Sequence, residues 1–169
     1  MKLAEVVATS GQVALTARRI EKTEKLAGLL RRLRGDEVAI AIGFFIGWPR
    51  QGKIGVGWAA VADARQTPAA GEPQLELDDV DAVFTALQKA TGKGSTARRL
   101  ELLRGLFTRA TKAEQEFLSG LVIGEVRQGA LEGVLLDAVA GAADVPADKL
   151  RRAVMLAGDL GSVATAVGA

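Results

Sequence analysis

The chain has 169 residues, 49% apolar and only 4% aromatic, with 22 Lys and Arg against 20 Asp and Glu for a net charge of +2. That length suits one domain with a sizeable core. Cys, His and Tyr are absent, which excludes disulfides, thiolate and imidazole metal sites, cysteine nucleophiles and the commonest general base.

Met1 to Glu5 opens without a signal-peptide core, and Leu3, Val6, Val7 and Val13 begin an amphipathic helix weakened at Gly11. A second helix is predicted from Thr16 to Leu33, with Ile20, Leu26, Leu29, Leu30 and Leu33 on one face and basic residues on the other. Gly35 stops it. Asp36 is the expected N-cap of a buried helix, Val38 to Ile46, closed by Gly47 and Pro49. The apolar run Val38 to Trp48 is about half of what a membrane span needs, so a soluble, cytoplasmic protein is expected. The turn Arg50-Gln51-Gly52-Lys53 and the Gly55-Val56-Gly57 segment lead to a short helix, Trp58 to Ala64.

Arg65 to Pro73 reads as a loop between two halves. Leu77-Asp78-Asp79 then caps a helix through Lys89, and Ser95 or Thr96 caps another to Thr108, with Leu100, Leu103, Leu106 and Phe107 inward. Thr111 and Glu114 form a capping box for a helix to Ile123. A turn at 124–129 leads into Leu131 to Ala142, Asp144-Val145-Pro146 opens a last helix, and Gly158 to Ala169 is a weakly patterned tail. The expected fold is all-α, of roughly ten helices in two pseudo-two-fold halves. In this reading 1–169 is one domain, with a repeat at about 1–64 and 77–142, a connecting loop at 65–76 and an exit linker at 158–169.

The repeat rests on one motif. Ile-Gly-x-x-Arg-Gln-Gly occurs at Ile46–Gly52 and again at Ile123–Gly129, differing only in its two middle residues. Helix capping requires only the Gly, so recurrence of Arg and Gln suggests two equivalent polar tips. Arg suits a phosphate or a narrow, negative minor groove, and Gln can hydrogen-bond base edges or sugars. Bases cluster at Arg18, Arg19, Lys22 and Lys25, at Arg31, Arg32 and Arg34, and at Lys89, Lys93, Arg98 and Arg99, which makes nucleic acid a reasonable partner.

Two look-alikes fail. Gly92-Lys93-Gly94-Ser95-Thr96 is P-loop-like but has Leu87 where that motif needs Gly. Gly55-Val56-Gly57 mimics a dinucleotide fingerprint without a preceding strand. The Gly94-Ser95-Thr96 turn can still hold a phosphate, through free N–H groups at a helix start and through Lys93 and Arg98. An ordinary capped helix with a solvated face is the bland alternative.

The stretch from Thr91-Gly92-Lys93-Gly94-Ser95-Thr96 through the basic helix to Leu106-Phe107, then Ala113 to Leu118 and the 124–129 turn, resembles the N-terminal DNA-binding domain of ATP-dependent DNA ligases of actinobacterial and archaeal type. The segment from Arg19 to Leu26, with Leu29 to Arg31, resembles that family's first basic helix, and similarity covers essentially the whole chain. The resemblance implies a helical domain gripping nicked double-stranded DNA across the minor groove, in replication, repair and recombination. By position it implicates Gly124, Arg127 and Gly129 in groove contact, with Arg50 and Gly52 as pseudo-equivalents; Gln128 and Lys53 of the same turns are also expected to bind DNA. Arg19, Lys93, Gly94, Ser95, Thr96 and Arg98 would contact the DNA backbone. Glu125 departs from the pattern, standing where many relatives carry Lys, and is expected to point away from phosphates.

The family's lysine nucleophile, in Lys-x-Asp-Gly, accepts AMP, and no Lys here precedes x-Asp-Gly. No catalytic residue, metal site or cofactor is therefore expected in this chain. ATP and Mg²⁺ would belong to a nucleotidyltransferase domain that follows, and that domain, an OB domain and DNA are the implied partners of a monomer. The alternative is a helical-repeat protein-interaction module.

Overall fold

The structure, a computed structural model, describes residues 1–52, 54–124 and 129–168. Among them it forms α1 (Leu3–Leu15), α2 (Arg19–Leu30), α3 (Glu37–Ile46), α4 (Trp58–Ala64), α5 (Leu77–Lys89), α6 (Ser95–Thr108), α7 (Lys112–Ile123), α8 (Gly129–Ala143), α9 (Ala147–Ala157) and α10 (Leu160–Ala166). No strand occurs among the described residues. An antiparallel bridge, Lys2 to Glu76, ties the N-terminus to the segment before α5, with Leu3 N–H donating to Leu75 O at 2.9 Å.

α3 is the centre. Val38, Ile40, Ala41, Ile42, Phe44 and Phe45 are all buried, as an all-round apolar helix must be. Phe44 meets Phe84 of α5 and Phe117 of α7 edge-to-face, at centroid separations of 5.9 and 6.3 Å. Phe44 and Phe84, both fully buried, each contribute about 1.5–3 kcal/mol of transfer free energy. α1, α5, α8 and α10 pack around this helix.

The local signals that the sequence carries explain most boundaries. The Thr111 capping box forms: Thr111 N–H donates to Glu114 Oε1 at 2.8 Å and Glu114 N–H to Thr111 Oγ1 at 3.3 Å. Other caps differ from expectation. Asp36 lies in helical conformation and caps nothing; Glu37 instead accepts from Arg34 N–H at 3.1 Å. At α6, Gly94 takes the N-cap position at φ 81°, and Ser95 is the first helical residue. α2 starts only at Arg19, because Thr16 turns back, accepting from Arg18 N–H and donating to Glu21 at 2.7 Å.

The largest correction concerns the C-terminal segment. Within the expected linker 158–169, residues Leu160–Ala166 form α10, capped by Asp159, which accepts from Gly161 and Ser162 N–H at 3.2 and 2.9 Å. α10 packs on α3, where a Cβ on Gly161 would stand 3.4 Å from Ala39 Cα. Leu160, Val163 and Ala164 join the core. Small residues give a weak apolar stripe but permit close backbone approach.

Candidate nucleic-acid interface

The two copies of the motif begin alike. α3 ends at Gly47 (φ 85°, ψ 20°), whose N–H donates to Gly43 O at 3.0 Å. α7 ends at Gly124 (φ 85°, ψ 17°), whose N–H donates to Gly120 O at 3.0 Å. Both glycines adopt the left-handed conformation that other residues rarely enter, so the two helices end in the same cap. Gly47, Trp48, Gly52, Ile123 and Gly124 line one cleft of about 700 Å³ together with Ile54 to Gly57. Residues from both motif copies thus border a single concavity.

The first turn is tied down rather than freely presented. Gly52 (φ 77°) closes it, donating to Pro49 O at 2.8 Å. Arg50 grips Asp81 of α5 through Nε at 2.8 Å and Nη2 at 2.6 Å. Gln51 Nε2 donates to the same carboxylate at 2.6 Å and lies 3.0 Å from Thr85 Oγ1, while Gln88 donates to Gln51 O at 2.6 Å. The Asp81 bonds hold the Arg50 guanidinium above its ordinary pKa, against the opposing effect of burial. Arg50 therefore acts first within the protein, its remaining Nη1 lying 3.9 Å from Asp36.

Asp81 is the residue that sequence reasoning missed. It stands with Leu77, Val80, Phe84 and Leu87 on the buried face of α5. A carboxylate at a core-facing position requires a charged or hydrogen-bonding partner, and that pattern was the available signal.

Of the second turn, Glu125, Val126, Arg127 and Gln128 lie outside the described residues, as does Lys53 of the first. Gly129 is the first residue of α8. At the start of α6, Ser95 N–H donates to Gly92 O at 3.2 Å and Arg98 N–H to Gly94 O at 3.1 Å. Among the described residues nothing accepts from Thr96 or Ala97 N–H, the usual state of a helix's first turn. Lys93 and Arg98 are exposed here, Arg98 facing Glu101 at 3.7 Å. Arg19 lies apart from this group, donating to Asp137 of α8 at 2.7 Å.

Two arginines of α6 reach neighbouring segments, and one of them meets the cleft. Arg104 forks onto Asp63 of α4 at 2.6 and 2.9 Å, depressing that carboxyl's pKa by the hydrogen bond. Arg99, one turn above Ser95, lies against the cleft wall: its Nη2 is 3.9 Å from where a side chain on Gly55 would begin. The cleft is bordered by glycine turns with Arg99 beside Gly55, while Lys93, Arg98 and the unoccupied N–H groups of the α6 start lie outside its lining; glycine turns, free N–H groups and cations each suit an anionic polymer.

Residues 50–140, from the first turn through most of α8, match the family model described as DNA ligase N terminus. The chain belongs to this DNA ligase N-terminus family. It is 49% identical over 97% of its length to a probable DNA ligase of Pseudarthrobacter chlorophenolicus. Similarity to the probable DNA ligases of Sorangium cellulosum and Saccharopolyspora erythraea is 48% and 51%, over 98% and 97% of the chain. The match covers 32%, 31% and 32% of these three relatives, so the chain spans about a third of their length. The resemblance drawn from the Thr91–Phe107 stretch and the 124–129 turn is borne out at the level of the family. The ligase N-terminus match also takes in the clasp, since Arg50, Gln51 and Asp81 all fall inside it.

Proposed function

We propose that this chain is the DNA-binding domain of an ATP-dependent DNA ligase, holding nicked duplex for chemistry performed elsewhere in the protein. The observation that carries the reading is the pairing of the two motif copies: both leave their helices through glycines of the same geometry and border one cleft. Two tips so placed suit the two antiparallel strands of a duplex. The pseudo-two-fold relation of the halves, about 1–64 and 77–142, is part of this proposal.

Recognition on this reading is electrostatic and shape-based. Lys53, Arg127, Gln128 and Gly129, with Gly52 and Gly124, meet the groove; Lys93, Gly94, Ser95, Thr96, Arg98 and Arg19 meet phosphates. Arg50 enters chiefly as the strut that fixes the first tip. Such contacts carry little base information, so binding is sequence-independent. The adenylation lysine, ATP and Mg²⁺ belong to the remaining two thirds of a ligase, as do the domains this one would work beside, in replication, repair and recombination. Chain titration against labelled nicked duplex at two salt concentrations tests the reading. Steep loss of affinity with salt supports it, while a flat response favours a protein-interaction module.

A further inference from the structure

We infer that Arg99, with the Gly55–Gly57 segment, forms a seat for a phosphate of the DNA backbone; this rests on the DNA-binding reading above. The sequence pattern had pointed instead to its neighbour, Arg98. The two differ sharply. Arg98 is exposed and faces Glu101 on its own helix. Arg99 is half-buried, its Nε is shielded from solvent, and no atom among the described residues accepts a hydrogen bond from it.

A guanidinium N–H withdrawn from water without an acceptor, as Arg99 Nε is, is unfavourable in the isolated protein. Two other forks of this chain have carboxylate partners: Arg50 has Asp81 and Arg104 has Asp63. Arg99 is held between α6 and the cleft wall with its fork left over. Its Nη2 end lies beside Gly55, an exposed glycine at φ 78°, 3.9 Å from where a Cβ would stand, and the left-handed backbone there favours glycine. The N–H groups of Gly55, Val56 and Gly57 likewise donate to nothing among the described residues.

A planar fork beside free backbone donors is the donor set that matches a phosphate's oxygens. Ser95, four residues before Arg99 and so on the same face of α6, extends the set toward the helix start. The phosphodiester placed here would run along the cleft wall between the first tip and α6. Arg99 would thus release a counterion on binding, as Arg50 would not.

The test uses Arg99→Met and Arg99→Lys in the whole chain. For Arg99→Met the expected result is at least a tenfold loss of duplex affinity at low salt, with the log–log salt slope shallower by about 0.9. Its melting temperature should hold or rise, because an unsatisfied buried donor is removed. Arg99→Lys should retain the slope but lose affinity, since charge remains and the fork does not. In parallel, inorganic phosphate is titrated while amide signals of Gly55 and Gly57 and the Arg99 Nε–H signal are followed by NMR. Saturable shifts, absent in Arg99→Met, support the seat. If phosphate shifts them but the wild type fails to bind duplex, the seat stands and the DNA reading fails. If duplex binds with an unchanged slope in Arg99→Met and phosphate shifts nothing, the seat is overturned. A lowered melting temperature with an unchanged slope would make Arg99 a packing residue only.

Discussion

Arg50→Met isolates the clasp that shapes the first tip. The substitution removes two charge-assisted bonds, at 2.8 and 2.6 Å, and leaves the Asp81 carboxylate with Gln51 as its side-chain donor. Stripping one partner from a fully buried pair costs about 3–5 kcal/mol. Here the Arg50 side chain is 39% exposed and that of Asp81 only 11%, so solvent screens one end of the pair, and about 2–3 kcal/mol is the expected loss. For a chain of this size that lowers the melting temperature by about 4–12 °C. Asp81→Asn should cost less, about 1–2 kcal/mol, because the half-exposed Arg50 can hydrate. The double variant should fall short of the sum by roughly 1–2 kcal/mol, the signature of direct coupling. Urea denaturation of the four proteins measures each quantity. Single variants that add within ~0.5 kcal/mol, or an Arg50→Met protein as stable as wild type, would refute the clasp.

Two further perturbations probe the frame. Gly28→Ala and Gly43→Ala both replace a helical glycine, yet only the second meets an obstacle: a Cβ there would stand 2.9 Å from Trp48 O and 3.3 Å from Arg50 N. Gly28→Ala, in open space, should therefore gain about 0.5–1 kcal/mol, whereas Gly43→Ala should lose about 1–3 kcal/mol by displacing the turn; equal effects in thermal melts would contradict the geometry. Asp159 has its pKa lowered mainly by the Ser162 hydroxyl hydrogen bond, against desolvation, with help from the Ser162 and Gly161 N–H groups. A depressed carboxyl stabilises above its unfolded value, about 3.9, and that contribution is lost as pH falls through the folded value. Asp159→Ala should thus cost about 1 kcal/mol at pH 7 and progressively less below about pH 4; a penalty that does not change with pH would refute the cap.

The sequence made the frame legible where the physics is local. Apolar periodicity places α3, α5 and α6, and the Thr111–Glu114 pair marks the start of α7, because propensity, capping and burial agree there. α10 escaped notice because Gly161, Ser162, Ala164 and Thr165 make a faint stripe, and only the close approach to Ala39 shows why small residues are needed. The Asp36 and Ser95 caps failed at glycines: Gly94 itself takes the N-cap position at φ 81°, and after Gly35 at φ 56° Asp36 is already helical. At the site, the repeated motif marked two helix ends with the same glycine cap, yet the roles of Arg50 and Gln51 depended on Asp81, about 30 residues away and reached only through folding. Nothing local separates Arg98 from Arg99 either; what separates them is which side of α6 meets the Gly55 wall.

The most direct measurement of the central claim is the salt dependence of duplex binding by the whole chain. At least four phosphate contacts are expected from the α6 start, Arg99 and the two tips, giving a log–log slope of about −3.6 or steeper. Affinity for nicked duplex should then fall more than ~100-fold between 50 and 200 mM salt, with random-sequence duplexes behaving alike. A slope shallower than about −1, or no duplex binding at low salt, would contradict the account.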